Sequence, residues 1–137
     1  MSYSYVLDCS VTMAWLFTDE TTPNTLKLRN HLIKGSAIVP ELWPLEVANV
    51  LWVSEKKKRI NHFQSSLFKK LLSQLPIVID DKTKDYALNR ILELAREFNI
   101  TPYDASYLEL SLRFSCPLAT LDKSLLQAAK NAGIPIL

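Results

Sequence analysis

The chain alternates short, wholly apolar runs with longer segments in which apolar residues recur at helical spacing. The apolar runs predict five strands, at residues 3–8, 37–39, 77–79, 118–120 and 134–136. Each run is continuously apolar, and this is typical of parallel strands that are covered on both faces. Longer segments of helical period lie between the runs, so the order favours crossover connections and a parallel sheet.

Helix start and stop signals fill the segments between these runs. Thr22 is a suitable N-cap residue, Pro23 fits the first helical position, and Gly35 ends that helix. The other predicted helices begin near Pro44, after Asn61, at residue 82, at Thr101–Pro102 and at Asp122. Together the elements predict an α/β fold, a three-layer α/β/α sandwich, whose strand order these arguments leave open.

Composition indicates an ordinary globular protein. The 137 residues are 48% hydrophobic and 22% charged, and they favour a single domain spanning residues 1–137. A formal net charge of +2 does not by itself indicate nucleic acid or membrane as a partner. The N-terminus lacks the features of a signal peptide, and no apolar stretch approaches the length of a membrane span, so a soluble, cytoplasmic protein is expected. Cys9 and Cys116 are expected to be reduced, buried thiols.

Two acids follow predicted strands at the edge of the sheet where parallel α/β folds bind ligands. Asp8 ends the first apolar run, and Asp122 comes two residues after the fourth. Both also have a structural interpretation as N-caps of the helices that follow. For Asp8 the functional interpretation is favoured because Ser10 is nearer to its helix. For Asp122 the two interpretations are evenly matched.

Two further acids lie in the first turns of predicted helices. Glu46 is surrounded by apolar residues and shares one narrow polar stripe with Asn49, on a helix that is expected to be largely buried. A buried carboxylate without partners is costly. Asp104 follows the Thr101–Pro102 helix start. The alternative for both acids is a favourable interaction with the helix dipole.

Four converging carboxylates would repel one another and raise one another's pKa values. A hard divalent cation removes that conflict, and carboxylate oxygens suit Mg²⁺ or Mn²⁺. Zinc is not favoured, since His31 and His62 lie away from these motifs and are expected at the surface. An acidic metal site suits phosphodiester hydrolysis. Solvated surfaces or helix starts account for the other acids, among them Asp80, Asp81, Asp85, Glu93, Glu97 and Glu109.

Four segments in this order resemble the PIN-domain ribonucleases, and most of all the VapC-type toxins of toxin–antitoxin pairs: "VLDCSVTMAWL", "PELWPLEVANVL", "TPYDASYLELSLR" and "PLATLDKSLLQAAKNAGIPIL". The resemblance implies a three-layer sandwich around a five-stranded parallel sheet and an endoribonuclease dependent on Mg²⁺ or Mn²⁺. It assigns the catalytic and metal-binding roles to Asp8, Glu46, Asp104 and Asp122. Ser10 and Thr120 match small hydroxyl positions that support the pocket, and Asn49 is expected to support it from beside Glu46.

The sequence departs from the family at one point. Many members carry a further acid or amide just beyond the fourth acid, but here Lys123 and Ser124 follow Asp122. A second metal is therefore expected to bind more weakly, or only with substrate.

The resemblance also implies partners: RNA, a small antitoxin protein and a second copy of the chain in a homodimer. Trp15, Phe17, Trp43 and Trp52 are candidates to line a groove or dimer face, with core packing as the alternative, above all for Trp52. RNA contacts are expected from the basic run Lys56, Lys57, Lys58 and Arg59, with Lys69 and Lys70 nearby. The alternative is a solvated helix end.

Other function classes fit less well. A haloacid-dehalogenase-type phosphatase needs Asp-x-Asp after the first strand, but Ser10 occupies the second position. A response-regulator receiver needs paired acids there, and the pair Asp80–Asp81 comes too late in the chain. A non-catalytic binding module would not need all four acids. A PIN-fold nuclease or RNA-processing module outside a toxin–antitoxin pair remains the main alternative.

Overall fold

The computed structural model describes residues 2–137, and its centre is a four-stranded parallel sheet. The strands are β1 (Tyr5–Leu7), β2 (Ala37–Val39), β3 (Ile77–Ile79) and β4 (Leu118–Ala119), side by side in the order β3-β2-β1-β4. Val6 in the centre of the sheet pairs with Ile38 on one side and Leu118 on the other. The prediction of parallel strands from continuous apolar runs is confirmed for these four.

The prediction of a fifth strand is wrong. Residues 134–136 contribute only an isolated parallel bridge between Ile136 and Leu118. Two hydrogen bonds flank that bridge, from Leu118 N–H to the Pro135 carbonyl and from Leu137 N–H to the Leu118 carbonyl. Because Pro135 has no N–H and β4 is only two residues long, a longer ladder does not form.

Helices connect the strands. The α-helices are α1 (Cys9–Ala14), α2 (Pro23–Asn30), α3 (Trp43–Lys56), α4 (His62–Gln74), α5 (Thr83–Tyr86), α6 (Leu92–Phe98), α7 (Pro102–Phe114) and α8 (Lys123–Asn131). A 3₁₀ turn, His31–Ile33, extends α2, and a π-helical turn, Ala87–Ile91, joins α5 to α6. The predicted N-caps Thr22, Asn61 and Thr101 each accept a hydrogen bond from the backbone of their helix. These caps explain why the three helix starts were predictable.

The strand order places one part of the sheet edge at a topological switch point. The chain runs from β1 outwards to β2 and β3, then returns to place β4 on the other side of β1. Right-handed crossovers in opposite directions put their helices on opposite faces of the sheet. The crevice at such a reversal, beyond the carboxyl ends of β1 and β4, is where open α/β sheets bind ligands. Asp8 and Asp122 both lie at this crevice.

The packing of the aromatic residues differs from the prediction. Trp15, Phe17 and Trp43 are buried in the core, whereas Trp52 is 56% exposed. The indole N–H groups of Trp15 and Trp43 donate to the Thr25 carbonyl and the Thr12 hydroxyl. The apolar composition of α3 predicted a largely buried helix with Glu46 and Asn49 on one narrow polar stripe. That prediction is wrong, because the outer face of α3 is exposed.

No helix among residues 2–137 is long and apolar enough to cross a membrane.

A buried ion network ties α7 to the end of β3. The Arg113 guanidinium donates to both carboxylate oxygens of Asp80, at 3.0 and 2.7 Å, and to both of Glu109, at 2.7 and 2.9 Å. Burial acts to raise the pKa of Asp80, but Arg113 outweighs it and holds that pKa below its usual value. The prediction of a solvated surface is therefore wrong for Asp80 and Glu109, which are both buried. Asp80 does lie at a helix start, where its Oδ2 accepts from the Lys82 N–H at 3.2 Å.

Candidate active site

Asp8 follows β1 directly, and its carboxylate is held by two hydroxyl groups. Ser10 and Thr120 both donate to Oδ2 of Asp8, at 2.5 and 2.8 Å. Asp8 occupies the N-cap position of α1 without a side-chain capping hydrogen bond, so capping does not explain its presence. The carboxylate is almost completely buried.

The same two hydroxyls order the loop between β4 and α8. The Ser10 hydroxyl accepts from the Leu121 N–H at 2.9 Å, and the Thr120 hydroxyl accepts from the Asp122 N–H at 3.0 Å. Each hydroxyl therefore joins the Asp8 carboxylate to the backbone of the β4–α8 loop. Ser10 and Thr120 thus lie where the sequence expected supporting residues.

Glu46 is positioned by two hydrogen-bonded links that the sequence did not indicate. The hydroxyl of Tyr107, a fully buried residue of α7, donates to Oε1 of Glu46. The indole of Trp43 donates to Thr12 at 3.0 Å, and the Thr12 hydroxyl donates to the Asp8 carbonyl at 3.2 Å. The first turn of α3 is therefore fixed against both α7 and the start of α1. Tyr107 lies one helical turn after Asp104, and that spacing was the only sequence signal for it.

Asp104 and Asp122 complete the acidic group. Asp104 lies in the first turn of α7, where Thr101 caps the helix by accepting from the Asp104 N–H at 3.1 Å. Asp122 is the N-cap of α8, because its Oδ2 accepts from the Leu125 N–H at 2.8 Å. The capping interpretation of Asp122 is thus correct, and the same residue also lies close enough to Asp104 to act on its charge.

The four acids are electrostatically coupled. Burial, followed by the charges of Asp122 and Asp8, raises the pKa of Asp104 to about 6. Burial raises the pKa of Glu46, the Tyr107 hydrogen bond opposes that rise, and the charges of Asp8 and Asp104 add to it. Burial also raises the pKa of Asp8, against the opposing effect of Ser10 and Thr120. Acids from β1, α3, α7 and the β4–α8 loop therefore share one electrostatic environment.

Cys9 lies beside this group but does not add a nucleophile to it. Burial and the charges of Glu46 and Asp8 raise the pKa of the Cys9 thiol to about 12. A thiol with such a pKa stays protonated at neutral pH and is a poor nucleophile. Cys9 and Cys116 are both free and buried, in agreement with the prediction.

The donor chemistry of the site fits a hard cation, but the acids are not gathered around a single point. All four side chains are carboxylates, and carboxylate oxygens are the ligand type that Mg²⁺ and Mn²⁺ prefer. Within residues 2–137, however, no three His, Cys, Asp or Glu side chains lie close enough together to surround one ion. A bound cation would have to draw the carboxylates closer.

The basic run does not lie beside the acids. Lys56 is ten residues after Glu46, so a rise of 1.5 Å per residue separates them by about 15 Å along α3. Arg59 is occupied by ion pairs with Asp19 and Glu20, at 2.7 and 3.0 Å, and lies over the ring of Phe17. The basic run therefore lies towards the opposite end of α3 from Glu46, and its contact with RNA stays a prediction.

Comparisons with known proteins agree with the observed fold. The family model of the PIN domain matches residues 5–131. The crystal structure of PAE2754 from Pyrobaculum aerophilum matches with a TM-score of 0.68 and 26% sequence identity, over 92% of this chain and 79% of that chain. No curated protein is significantly similar in sequence.

Proposed function

Because the chain belongs to the PIN-domain family, whose members are typically metal-dependent nucleases, we propose that it is an endoribonuclease that uses Mg²⁺ or Mn²⁺. The observation that carries this proposal is the electrostatic coupling of Asp8, Glu46, Asp104 and Asp122 at the switch point of the sheet. These acids are the proposed ligands, directly or through water. We further propose that residues 1–137 form one catalytic domain.

The proposed chemistry is hydrolysis of a phosphodiester bond by water. When bound, the cation would supply charge stabilisation for the phosphate and a more acidic water. Glu46 is the proposed proton acceptor, since Tyr107 occupies Oε1 and leaves Oε2 as the basic atom. A raised pKa improves Glu46 as a base, because proton transfer is most efficient when the pKa of the base approaches the working pH.

Asp8 has a different proposed role from Glu46. Two hydroxyl donors and near-complete burial fix its carboxylate, so it is suited to hold a charge in one place rather than to exchange a proton. Asp104 lies in the first turn of α7 and Asp122 is the N-cap of α8, so each acid lies at the start of its helix. They are the proposed ligands on the side of the crevice opposite Glu46.

We propose that the biological role is that of a toxin in a toxin–antitoxin pair, acting in the cytoplasm as a homodimer. The support is the order and spacing of the four acidic motifs, which resemble those of VapC-type toxins. The test is induced expression of the chain with and without the product of a short neighbouring reading frame. Growth arrest that the neighbour relieves supports this role, and unaffected growth favours a PIN nuclease outside such a pair.

The enzymatic proposal is tested by incubating the purified chain with single-stranded RNA and either Mg²⁺ or Mn²⁺. Cleavage that a chelator abolishes and that Asp8→Asn eliminates is the expected result. The Asp8→Asn protein should keep its fold, since an amide matches the carboxylate in shape and still accepts from Ser10 and Thr120.

A further inference from the structure

A recess of about 280 Å³ opens directly beside the acidic group. Its walls are Leu42, Leu45, Glu46, Asn49 and Tyr103. Two of these side chains are strongly exposed, since Leu45 is 75% and Tyr103 is 68% accessible to solvent. The recess is therefore an apolar hollow with one carboxylate and one amide on its walls.

The exposed apolar residues are placed by the same helix turns that place the acids. Leu45 directly precedes Glu46 in the first turn of α3, and Tyr103 directly precedes Asp104 in the first turn of α7. A group held between Leu45 and Tyr103 would consequently lie next to the carboxylates on which the proposed cleavage depends. Glu46 belongs both to the recess and to the acidic group, since it lines the recess and is electrostatically coupled to Asp8 and Asp104.

The chemistry of the walls suits a flat heteroaromatic ring. An exposed tyrosine offers a face for stacking, and single-stranded nucleic acids are bound by stacking their bases on aromatic side chains. The amide of Asn49 is exposed and makes no hydrogen bond to another group within residues 2–137, so its donor and acceptor are available to a base edge. The volume lies just below the range of pockets for drug-sized ligands, so it suits one ring system.

We propose that this recess is a nucleobase subsite, in which Tyr103 stacks on one base of a single-stranded RNA and Asn49 contacts the edge of that base. The inference rests on the proposed ribonuclease function and adds to it a determinant of where the strand is cut. The base next to the scissile phosphate occupies the recess, while the phosphate lies at the acids.

A second recess provides the comparison that the test needs. It lies at the far end of α3, and Phe63, with Lys58 and Arg59, contributes to its lining. Phe63 is 69% exposed, so it matches Tyr103 in exposure and in aromatic character. It is separated from the acids by the length of α3, and its loss should leave the subsite unchanged.

The experiment measures binding of a fluorescently labelled single-stranded RNA hexamer by anisotropy, with Asp8→Asn as the parent so that the strand stays intact. Adding Tyr103→Ala should weaken binding about 5- to 150-fold, the range expected from the loss of one base–aromatic stack. Tyr103→Phe should restore binding to about the parent value, and Phe63→Ala should not change it. Each nucleotide of the hexamer is then replaced in turn by an abasic site. At one position this replacement should weaken binding to the parent but not to the Tyr103→Ala variant.

A second measurement separates this inference from the proposed function. With the catalytic acids intact, Tyr103→Ala should raise KM for RNA cleavage and redistribute the cut sites, and Asn49→Ala should relax the base preference at one position. Unchanged binding and cut sites in Tyr103→Ala, while the wild-type chain cleaves RNA, would overturn the subsite and leave the proposed function standing. Loss of a dimer in Tyr103→Ala, seen by light scattering, would also overturn it, because a second copy would then cover the recess. If Tyr103→Ala weakens binding but the wild-type chain cuts no RNA, the subsite stands and the nuclease proposal fails.

Discussion

The hydroxyl of Tyr107 in α7 donates a hydrogen bond to Oε1 of Glu46 in α3, and so joins two of the helices that contribute acids to the site. Tyr107 is fully buried, and the pKa of its hydroxyl is raised by burial and by the charges of Asp8 and Glu46. The hydroxyl therefore remains a donor. A permanent donor fixes the rotamer of Glu46 and favours its ionised form.

Replacing Tyr107 by Phe should raise the pKa of Glu46, because the hydrogen bond lowers that pKa in the wild-type protein. It should also destabilise the fold by about 1 kcal/mol, the usual net value of one such bond. The pKa is measured by following the Glu46 side-chain carboxyl carbon by NMR across a pH titration without metal. An unchanged Glu46 pKa would contradict this link.

Tyr5→Phe is the matched control for that experiment. Tyr5 is also fully buried, and its hydroxyl donates to the Leu28 carbonyl at 2.7 Å, away from the acids. Its loss should destabilise the fold by a similar amount and leave the Glu46 pKa unchanged. A shift of that pKa in Tyr5→Phe would mean that the effect comes from general loosening of the core.

Replacing Asp104 by Asn should stabilise the metal-free protein at pH 7. The folded-state pKa of Asp104 is about 6, above the value of about 4 for an unfolded chain, so the folded state binds more protons between these values. The Asp104 contribution to the free energy of unfolding therefore falls as the pH rises from about 4 to 6. After discounting for solvent screening, the gain is about 1 kcal/mol, or about 4 °C in Tm.

Thermal melts in a chelator at several pH values measure this difference. The gap in Tm between Asp104→Asn and wild type should be small near pH 4 and largest above pH 6. Asp85→Asn, on the exposed surface of α5, is the control and should change stability by less than about 0.5 kcal/mol. A wild-type protein more stable than Asp104→Asn at pH 7 without metal would contradict the coupling of the acids.

Binding of Mn²⁺ should release protons at pH 6 and fewer at pH 8. The metal binds the deprotonated carboxylate, and Asp104 is about half protonated at pH 6. Calorimetric titrations in two buffers of different ionisation enthalpy give the number of protons released. Asp104→Asn should bind Mn²⁺ more weakly and release fewer protons at pH 6. Equal release at both pH values in the wild-type protein would exclude Asp104 as a ligand with a raised pKa.

Arg113→Met should be strongly destabilising, by about 3–5 kcal/mol, because it leaves Asp80 and Glu109 buried without their charged partner. Denaturant unfolding measures the loss. Arg96→Met, an exposed position on α6, is the control and should cost less than about 0.5 kcal/mol. A loss below 1 kcal/mol in Arg113→Met would show that the network does not anchor α7.

The sheet and the helix starts could be predicted because local signals determine them. Short apolar runs predicted the first four strands, and N-cap residues such as Thr22 and Asn61 predicted the helix starts. The absence of the predicted fifth strand also has a local cause, since Pro135 limits pairing to a single bridge. The resemblance to the PIN-domain family, rather than local chemistry, led to the expectation that Ser10 and Thr120 support the pocket around Asp8.

What could not be predicted depends on contacts between distant segments. Nothing in the sequence around Asp80 shows that Arg113, 33 residues later, neutralises it. The exposed Trp52 and the buried Trp15 are equally apolar, and only packing distinguishes them. Tyr107 is 61 residues from Glu46, so its role became visible only when α7 and α3 were placed together.

Cleavage of single-stranded RNA by the purified chain, measured with Mn²⁺ present and with it chelated, tests the central claim most directly. The account predicts cleavage with the metal and none with the chelator. It also predicts at least a hundredfold loss of cleavage rate in both Asp8→Asn and Asp104→Asn, since losing one charged ligand or stabilising group costs about this much. Thermal unfolding of both variants should remain cooperative. Full activity in either folded variant would contradict the assignment of that acid. Cleavage that persists in the chelator would contradict the proposed metal dependence.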